Sequence, residues 1–216
     1  MPEEAAHAPL SEGAEASPEA SPLLPLSAFE TPLDWTRVFG RAGPVEVDIG
    51  SGKGRFLIES GRAHPERNFL GIERSLKWIR HAEERVVKSR LRNVRLVCAD
   101  AAGLVAQVIP DASVSAYHLY HPDPWPKKRH HKRRIVKPEF VADLARTLAP
   151  GGALRVQSDV RELFEEMDAA FGASPAFERM PFEMPNREDF DGFTSFERKY
   201  LAEGRDIHRA QFRRRG

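Results

Sequence analysis

A glycine-rich turn that joins a predicted strand to a predicted helix constrains this chain more than any other feature. The strand covers residues 45–49, the turn is Gly50-Ser51-Gly52-Lys53-Gly54, and the helix begins near Arg55. Glycine has no Cβ and tolerates positive φ, so such a turn lets the backbone approach a ligand closely. The dinucleotide fingerprint needs a glycine three positions after Gly52, where Arg55 stands. Because Asp48 directly precedes the turn, the pattern favours a cationic, phosphate-free ligand.

Strand-like segments alternate with helical segments along most of the chain. The predicted strands are residues 45–49, 68–72, 94–98, 113–119 and 153–157, and further helices are predicted at 76–88 and 139–148. This alternation is typical of an α/β fold with a mostly parallel sheet and helices on both faces. A length of 216 residues with 41% hydrophobic side chains suits one domain with a sizeable core.

Acidic residues stand close to the ends of four predicted strands: Glu73, Asp100, Asp123 and Asp159. In open α/β sheets the ligand crevice lies outside the carboxyl ends of the strands, so these side chains can converge on one site. Glu73 is placed to accept hydrogen bonds from two ribose hydroxyls, and Asp100 to face an adenine edge. Any one of them alone could equally cap a helix. Together with the glycines, they favour a nucleoside-like cofactor.

Charge is distributed unevenly along the chain. Residues 1–28 are rich in Ala, Glu, Pro and Ser and are predicted to form a disordered acidic tail, which leaves residues 29–216 as the single domain. Residues 1–34 hold seven acidic groups and no Lys or Arg, so the remainder carries 33 basic and 25 acidic side chains. This surplus makes a polyanionic partner plausible.

Cysteine and hydropathy patterns exclude several classes of protein. Cys98 is the single cysteine, so no internal disulfide can form, and no Cys/His cluster has the spacing of zinc ligands. No apolar run reaches the length of a bilayer, and no secretion signal precedes the domain. We therefore expect a cytoplasmic protein with no metal site and no membrane partner.

The most specific stretch is His-Pro-Asp-Pro-Trp-Pro at residues 121–126, followed by the basic segment, residues 127–134. The three prolines should stiffen the turn and hold Asp123 and Trp125 in extended backbone. The basic segment has six Lys/Arg and two His in eight residues, a density that suits a nucleic-acid backbone. A solvated helix face or a localisation signal would explain the charge but not the rigid turn. Trp125 could stack on a base or pack into the core.

These residues together resemble the bacterial tRNA (guanine-N7)-methyltransferases from Asp34 to about Arg213. The resemblance is carried, in order, by Asp34-Trp35 with Phe39-Gly40, Asp48-Ile-Gly-Ser-Gly-Lys-Gly54, Gly71-Ile72-Glu73, residues 123–134, Ser158-Asp159, and residues 194–199. Any one motif could arise by chance, whereas their common order and spacing are specific.

The resemblance implies a class I methyltransferase (Rossmann-like) fold, with a mostly parallel seven-stranded sheet whose antiparallel strands would be residues 177–182 and 196–201. It also implies S-adenosylmethionine as cofactor and tRNA as partner, with a guanine of the variable loop as target. We expect a monomer or homodimer. The implied cofactor contacts are Asp48, Gly50, Gly52, Glu73, Asp100 and Asp123.

Substrate contacts implied by the resemblance are Lys127, Asp159, Thr194, Ser195, Phe196 and Glu197. Ser195 departs from the pattern, since relatives often carry Lys there. The residues expected to lie along the tRNA are Arg129, His130, His131, Lys132, Arg133 and Arg134.

The chemistry of guanine N7 sets the expected roles. N7 has an in-plane lone pair and no proton, so it can attack the sulfonium methyl group directly and needs no general base. The enzyme must supply alignment and an electrostatic setting for the charge that moves to the purine. We expect Asp123 to be the principal catalytic carboxylate, with Lys127 and Asp159 orienting the nucleotide.

Two other functions fit parts of the sequence. One is a methyltransferase of the same fold that acts on an exocyclic amine of adenine or cytosine, because Asp123-Pro124-Trp125 resembles the acidic-Pro-Pro-aromatic loop of those enzymes. The basic segment and residues 194–197 argue against it. The other is a non-catalytic RNA-binding protein on the same scaffold, which the intact Asp48, Glu73 and Asp123 disfavour.

Overall fold

Eight strands form one sheet in the computed structural model, which describes residues 21–29, 31, 33–183 and 194–216. The spatial order is β1-β4-β3-β2-β5-β6-β8-β7. All neighbours pair in parallel except β6 with β8 and β7 with β8, which are antiparallel. The strands are β1 Leu23–Leu24, β2 Val45–Ile49, β3 Asn68–Glu73, β4 Val94–Cys98, β5 Val114–Tyr120, β6 Leu148–Ser158, β7 Phe177–Met180 and β8 His208–Arg214.

Helices connect the strands and cover both faces of the sheet. They are α1 Trp35–Phe39, α2 Arg55–Ala63, α3 Leu76–Lys88, α4 Ala101–Gln107, α5 Pro138–Thr147, α6 Arg161–Gly172 and α7 Ser195–Ala202, with short 3₁₀ helices at Leu26–Ala28 and Lys128–Arg133. Local signals fix several starts: the side chains of Asp34 and Ser75 accept hydrogen bonds from the first turns of α1 and α3. Within the described residues, no helix has both the length and the hydropathy needed to cross a bilayer.

The core is divided between the two faces of the sheet. Alternate residues of β2, such as Val47 and Ile49, join the larger cluster with side chains of α1, α4, α5 and α6. The smaller cluster lies under α2 and α3 and includes Phe56 and Tyr120. Because strand side chains alternate between faces, Asp48 lies on the α2/α3 side.

The predicted parallel α/β architecture is confirmed, while the strand count is wrong by one. The extra strand, β1, pairs Leu23 with Leu96 and Leu24 with Val97 at the edge of the sheet. The prediction that disorder extends to residue 28 is therefore wrong for the segment that contains β1. Two leucines are enough, because an unpaired edge of β4 offers backbone partners. The tail at residues 1–20 lies outside the described part of the chain.

The antiparallel end of the sheet is only partly as expected. β7 matches the predicted strand at 177–182, but the strand predicted at 196–201 is wrong, because those residues form α7. The Thr194 side chain accepts a hydrogen bond from the Glu197 amide at 3.0 Å and starts a helix there. The strand that separates β6 from β7 is β8, which buries Ala210 and Phe212.

Candidate active site

The site lies where the strand order reverses. Adjacent strands β2 and β5 are followed by connections that lead to opposite ends of the sheet, so a crevice opens outside their carboxyl ends. Asp48 is paired in register with His118 and Ile49 with Leu119. The glycine loop, residues 50–54, and the proline-rich turn that contains Asp123 therefore leave the sheet side by side.

The glycine loop has an open outer surface. Gly50, Gly52 and Gly54 have φ of +77°, +52° and +68°, the left-handed region that favours glycine. Among the described residues, a Cβ at Gly50 would meet no atom within 4 Å, and one at Gly52 would meet only the Gly50 carbonyl at 4.0 Å. Gly54 is needed for packing instead, because its Cβ would lie 3.0 Å from that of Ala82 on α3.

Glu73 holds this loop against β3. Its carboxylate accepts hydrogen bonds from the Gly52 amide at 3.0 Å and from the Ser75 amide at 2.7 Å. The Ser51 hydroxyl is buried against Gly71 of β3 and has no hydrogen-bond partner among the described residues. Buried polar atoms normally have a hydrogen-bond partner. A polar molecule bound at the open glycine loop would supply one.

Asp48 and Asp100 differ sharply in environment. Asp48 is 4% exposed, and burial, with a smaller contribution from the Glu73 charge, raises its pKa to about 8. Asp100 is exposed and accepts a hydrogen bond from the Gly103 amide at 3.0 Å, so it caps α4. A cation bound beside the glycine loop would favour the ionised form of Asp48.

A buried row of polar side chains runs along the α2/α3 face of the sheet towards this crevice. Glu46 contacts Arg67 at 2.5 Å and His118 Nε2 at 2.7 Å, and His118 Nδ1 lies 2.9 Å from the Tyr120 hydroxyl. Burial lowers the pKa of His118, and the Glu46 hydrogen bond and charge oppose that shift; the ring donates to the Glu46 carboxylate, which is an acceptor only. This hydrogen-bonded row of side chains fixes β5 just before the proline-rich turn.

A second polar group is centred on Asp159, at the end of β6. Its carboxylate, 7% exposed, contacts His121 Nδ1 at 3.2 Å and Arg205 Nη1 at 2.9 Å. The other ring nitrogen of His121 lies 3.1 Å from the Gln157 side-chain amide. The structure thus brings the predicted substrate residue Asp159 beside the end of β5.

The predicted substrate residues at the start of α7 lie in the same region. Thr194 acts as the N-terminal cap of the helix, and Ser195 and Phe196 are exposed. Glu197 is fully buried and forms an ion pair with Arg209 at 2.5 Å. Burial lowers the pKa of His121, and the Asp159 hydrogen bond and charge, with a smaller contribution from the Glu197 charge, oppose that shift.

The proline-rich turn differs from its prediction in one respect. Trp125 has φ of +44°, so it is not in extended backbone as predicted, and His121 has φ of +51°. The indole packs on the basic segment, with the Arg133 guanidinium 4.9 Å above the ring and His130 at its edge. Asp123 and Lys127 are exposed at the two ends of this turn.

Arg134 does not fit its predicted role at the RNA surface. Its side chain is 5% exposed, donates to the Pro124 carbonyl at 2.9 Å, and pairs with Glu162 at 3.3 Å and with Glu166. It anchors the proline-rich turn to α6. The other predicted RNA contacts are accessible: Arg129, Lys132 and Arg133 are exposed, and His130 and His131 are half-buried.

Ligand atoms of His131, Glu162 and Glu166 lie within 4.8 Å of one another. The Arg134 guanidinium already donates to both carboxylates there. Its positive charge opposes a metal cation at this position.

Sequence reasoning missed Tyr200 and Arg205. The Arg205 guanidinium lies 4.5 Å above the Tyr200 ring and also contacts Asp159. Thr194-x-x-Glu197 predicts a helix start and would have placed Phe196 and Tyr200 one turn apart on the same face. It does not predict the contact with Asp159.

Known proteins match the chain over most of its length. The family model described as "Putative methyltransferase" matches residues 42–210. The tRNA (guanine-N(7)-)-methyltransferase of Alkalilimnicola ehrlichii is 42% identical over 186 residues, covering 85% of this chain and 78% of that protein. The enzyme of the same name from Ralstonia pickettii is 34% identical, covering 92% and 77%.

Solved structures match at the level of fold. The 16S rRNA methyltransferase KamB superimposes with a TM-score of 0.61 at 16% identity, covering 82% of this chain and 90% of that one. The 16S rRNA (adenine(1408)-N(1))-methyltransferase from Catenulisporales acidiphilia, solved with S-adenosylmethionine, gives 0.59 at 18% identity, covering 86% and 93%.

The sheet order, the glycine loop at its reversal point and these structural matches give the protein the class I methyltransferase fold, and the family model over residues 42–210 makes it a methyltransferase. The identity shared with the curated relatives over most of both chains is more specific than the fold. The chain belongs to the tRNA (guanine-N7)-methyltransferase family.

Proposed function

We propose that this protein transfers a methyl group from S-adenosylmethionine to N7 of a guanine in the variable loop of tRNA, in the cytoplasm. The observation that carries the proposal is that the open glycine loop, the proline-rich turn and Asp159 follow the carboxyl ends of the adjacent parallel strands β2, β5 and β6. The exposed side chains of the basic segment supply a surface for the RNA backbone.

The residues around the glycine loop suit the cofactor. When bound, S-adenosylmethionine supplies an electrophilic methyl group on a positively charged sulfur. Asp48, with its pKa raised to about 8, would ionise beside that cation, and the glycines would admit the ligand to the backbone. Glu73 and Asp100 would accept hydrogen bonds from its ribose and adenine, in addition to their present amide partners.

The target base would be held from the other side of the crevice. Asp159 and Lys127 would orient the nucleotide, and residues 194–197 would line the entrance. These residues would hold N7 in line with the methyl group that S-adenosylmethionine supplies, so that the N7 lone pair would form the new bond as the carbon–sulfur bond breaks. Asp123 would stabilise the positive charge that develops on the purine.

Rigidity of the proline-rich turn supports this role for Asp123. Pro124, the residue after it, is tied through its carbonyl to Arg134, and Arg134 is held in turn by Glu162 and Glu166 on α6. A carboxylate on a fixed turn is already oriented before the charge develops, so little reorganisation is needed. The neighbouring β5 is fixed by the buried Glu46 and His118 pair.

The test compares tRNA transcripts that differ at one base. We expect label from methyl-labelled S-adenosylmethionine to enter the transcript with guanine at the variable-loop position. It should not enter transcripts that carry adenine or 7-deazaguanine there, because neither offers guanine N7. Equal labelling of the 7-deazaguanine transcript would reject N7 as the acceptor.

The role of Asp123 is tested in the same assay by Asp123→Asn. Removing the charge should lower kcat by about 100-fold or more, the size of effect seen when one electrostatic contact to a transition state is lost. Asp111→Asn is the matched control, because Asp111 is also exposed but precedes β5, at the opposite end of that strand from Asp123. A kcat for Asp123→Asn near that of Asp111→Asn would remove Asp123 from the mechanism.

A further inference from the structure

A planar cation occupies the space between the Asp159 carboxylate and the ring of Tyr200. Arg205 donates from Nη1 to Asp159 Oδ2 at 2.9 Å, and its guanidinium carbon lies 4.5 Å from the centre of the Tyr200 ring. Its other terminal nitrogen lies 2.8 Å from Glu203. Asp159 is 7% exposed, whereas Arg205 is 49% exposed, so the guanidinium reaches this position from the solvent side.

The carboxylate is held from the inside by groups that leave one oxygen for this contact. Asp159 Oδ1 lies 3.2 Å from His121 Nδ1, and the opposite nitrogen of that ring lies 3.1 Å from the Gln157 side-chain amide. The His121 ring also meets the Tyr200 ring edge-on at 5.4 Å. Phe196 stacks on Tyr200, with the ring centres 6.0 Å apart. The acceptor and the aromatic ring are therefore fixed relative to each other.

Guanine presents the same chemistry as the Arg205 side chain. Its N1–C2–N2 edge is a planar guanidine unit with N–H donors that suit a carboxylate, and its face stacks on aromatic rings. Adenine has an acceptor at N1 and would oppose the carboxylate. A base that stacks on Tyr200 and donates to Asp159 would make both of the contacts that Arg205 makes now.

We propose that Tyr200 is the stacking platform for the target guanine, and that Arg205 occupies the base position in the RNA-free protein and is displaced when the base enters. The inference rests on the proposed function, since it requires a guanine substrate. It adds two residues to the site and gives the reason for the choice of guanine. It also predicts effects of opposite sign on substrate binding for two residues that touch each other.

The first test is steady-state kinetics with tRNA for Tyr200→Ala and Tyr200→Phe. Losing the ring should raise KM for tRNA by about 5-fold to 100-fold, the range for one stacked base, while Tyr200→Phe keeps the ring and should stay within about twofold of wild type. An unchanged KM in Tyr200→Ala overturns the platform. A defect of equal size in Tyr200→Phe also overturns it, because the hydroxyl rather than the ring would then matter.

The second test uses Arg205→Ala, which should lower KM for tRNA by a few-fold, because the base no longer competes with the guanidinium. Arg213→Ala is the matched control: Arg213 is 48% exposed and pairs with Glu178 at 3.0 Å, near the far end of β8, where it lies opposite Ala153 of β6 and away from Asp159. If Arg205 only braces α7, its removal should raise KM and lower Tm, and that result overturns the displacement.

The third test changes the RNA and uses wild-type protein, so its result does not depend on whether a variant folds. Inosine at the target position keeps N7 but lacks the exocyclic amine, so its KM with wild-type protein should exceed that of guanine by several-fold. Equal KM values would show that the guanidine edge is not read. Wild-type protein must first give N7-methylguanine in tRNA. If it does not, the proposed function fails, whereas normal product with unchanged Tyr200→Ala kinetics rejects only this inference.

Discussion

Cofactor binding should release a proton from Asp48. The ligand-free carboxyl, with its pKa raised to about 8 by burial and by the Glu73 charge, is protonated at pH 7 in roughly nine molecules of ten. A sulfonium and an amino group placed beside it favour the carboxylate. Binding at pH 7 should therefore release about 0.9 proton from this group, falling to about 0.1 at pH 9. Affinity should drop about tenfold for each pH unit below 8.

The same shift predicts that Asp48 destabilises the ligand-free fold. Its folded-state pKa lies above 3.8, the ordinary value for an aspartate, so its contribution is fully favourable only below that value and is lost as pH rises through 8. At pH 7 the cost of holding this group is on the order of 4 kcal/mol. Asp48→Asn should therefore raise the free energy of unfolding by a few kcal/mol at pH 7 while weakening cofactor binding.

Isothermal titration calorimetry in phosphate and in Tris at pH 7 measures the proton release, because the two buffers differ in ionisation enthalpy. The wild-type enthalpy should depend on the buffer, and that of Asp48→Asn should not. Asp100→Asn is the control, since Asp100 is exposed and should leave proton release unchanged. A buffer-independent enthalpy for wild type, or equal release from Asp48→Asn, would refute the reasoning.

Two further predictions concern groups outside the glycine loop. Burial alone would raise the pKa of Glu46, but hydrogen bonds and charges from His118 and Arg67 lower it from 4.5 to about 2. The contribution of Glu46 to stability is therefore present above pH 4.5 and is lost as pH falls through 2. Wild type should lose about 3 kcal/mol more than Glu46→Gln between pH 5 and pH 2 in urea titrations, and parallel losses would contradict this. Arg134→Ala should lower kcat and leave the salt dependence of tRNA binding unchanged, because Arg134 is buried and anchors the proline-rich turn to α6. Arg133→Gln should reduce the slope of log K against log salt by about 0.9, and the opposite pattern for these two arginines would reverse their roles.

The parallel part of the fold was predictable because its signals are local. β2, β4 and α3 begin and end as predicted. The two strands are short segments rich in valine, and α3 is an amphipathic segment that starts after the capping residue Ser75. The acidic residues at strand ends follow from the topology of an open sheet, which needs no side-chain detail. The glycine loop was predictable for the same reason.

The antiparallel end and the tail were not predictable from the same signals. Residues 196–201 contain two aromatic residues and a leucine, which fit a strand, yet the Thr194 cap starts a helix there. Arg134 belongs to the same basic segment as its neighbours, so the sequence does not distinguish it from them. Only its tertiary contact with α6 shows that it is buried. Tyr200 and Arg205 join the site through Asp159, 41 and 46 residues away along the chain, and no local pattern reports such a contact.

The central claim is tested most directly by identifying the methylated nucleoside. Purified protein would be incubated with unmodified tRNA and methyl-labelled S-adenosylmethionine, and the RNA digested and analysed by mass spectrometry. The account predicts label in N7-methylguanosine at the variable-loop position. Label in a methylated adenosine or cytidine, or no label although S-adenosylmethionine binds, would contradict it.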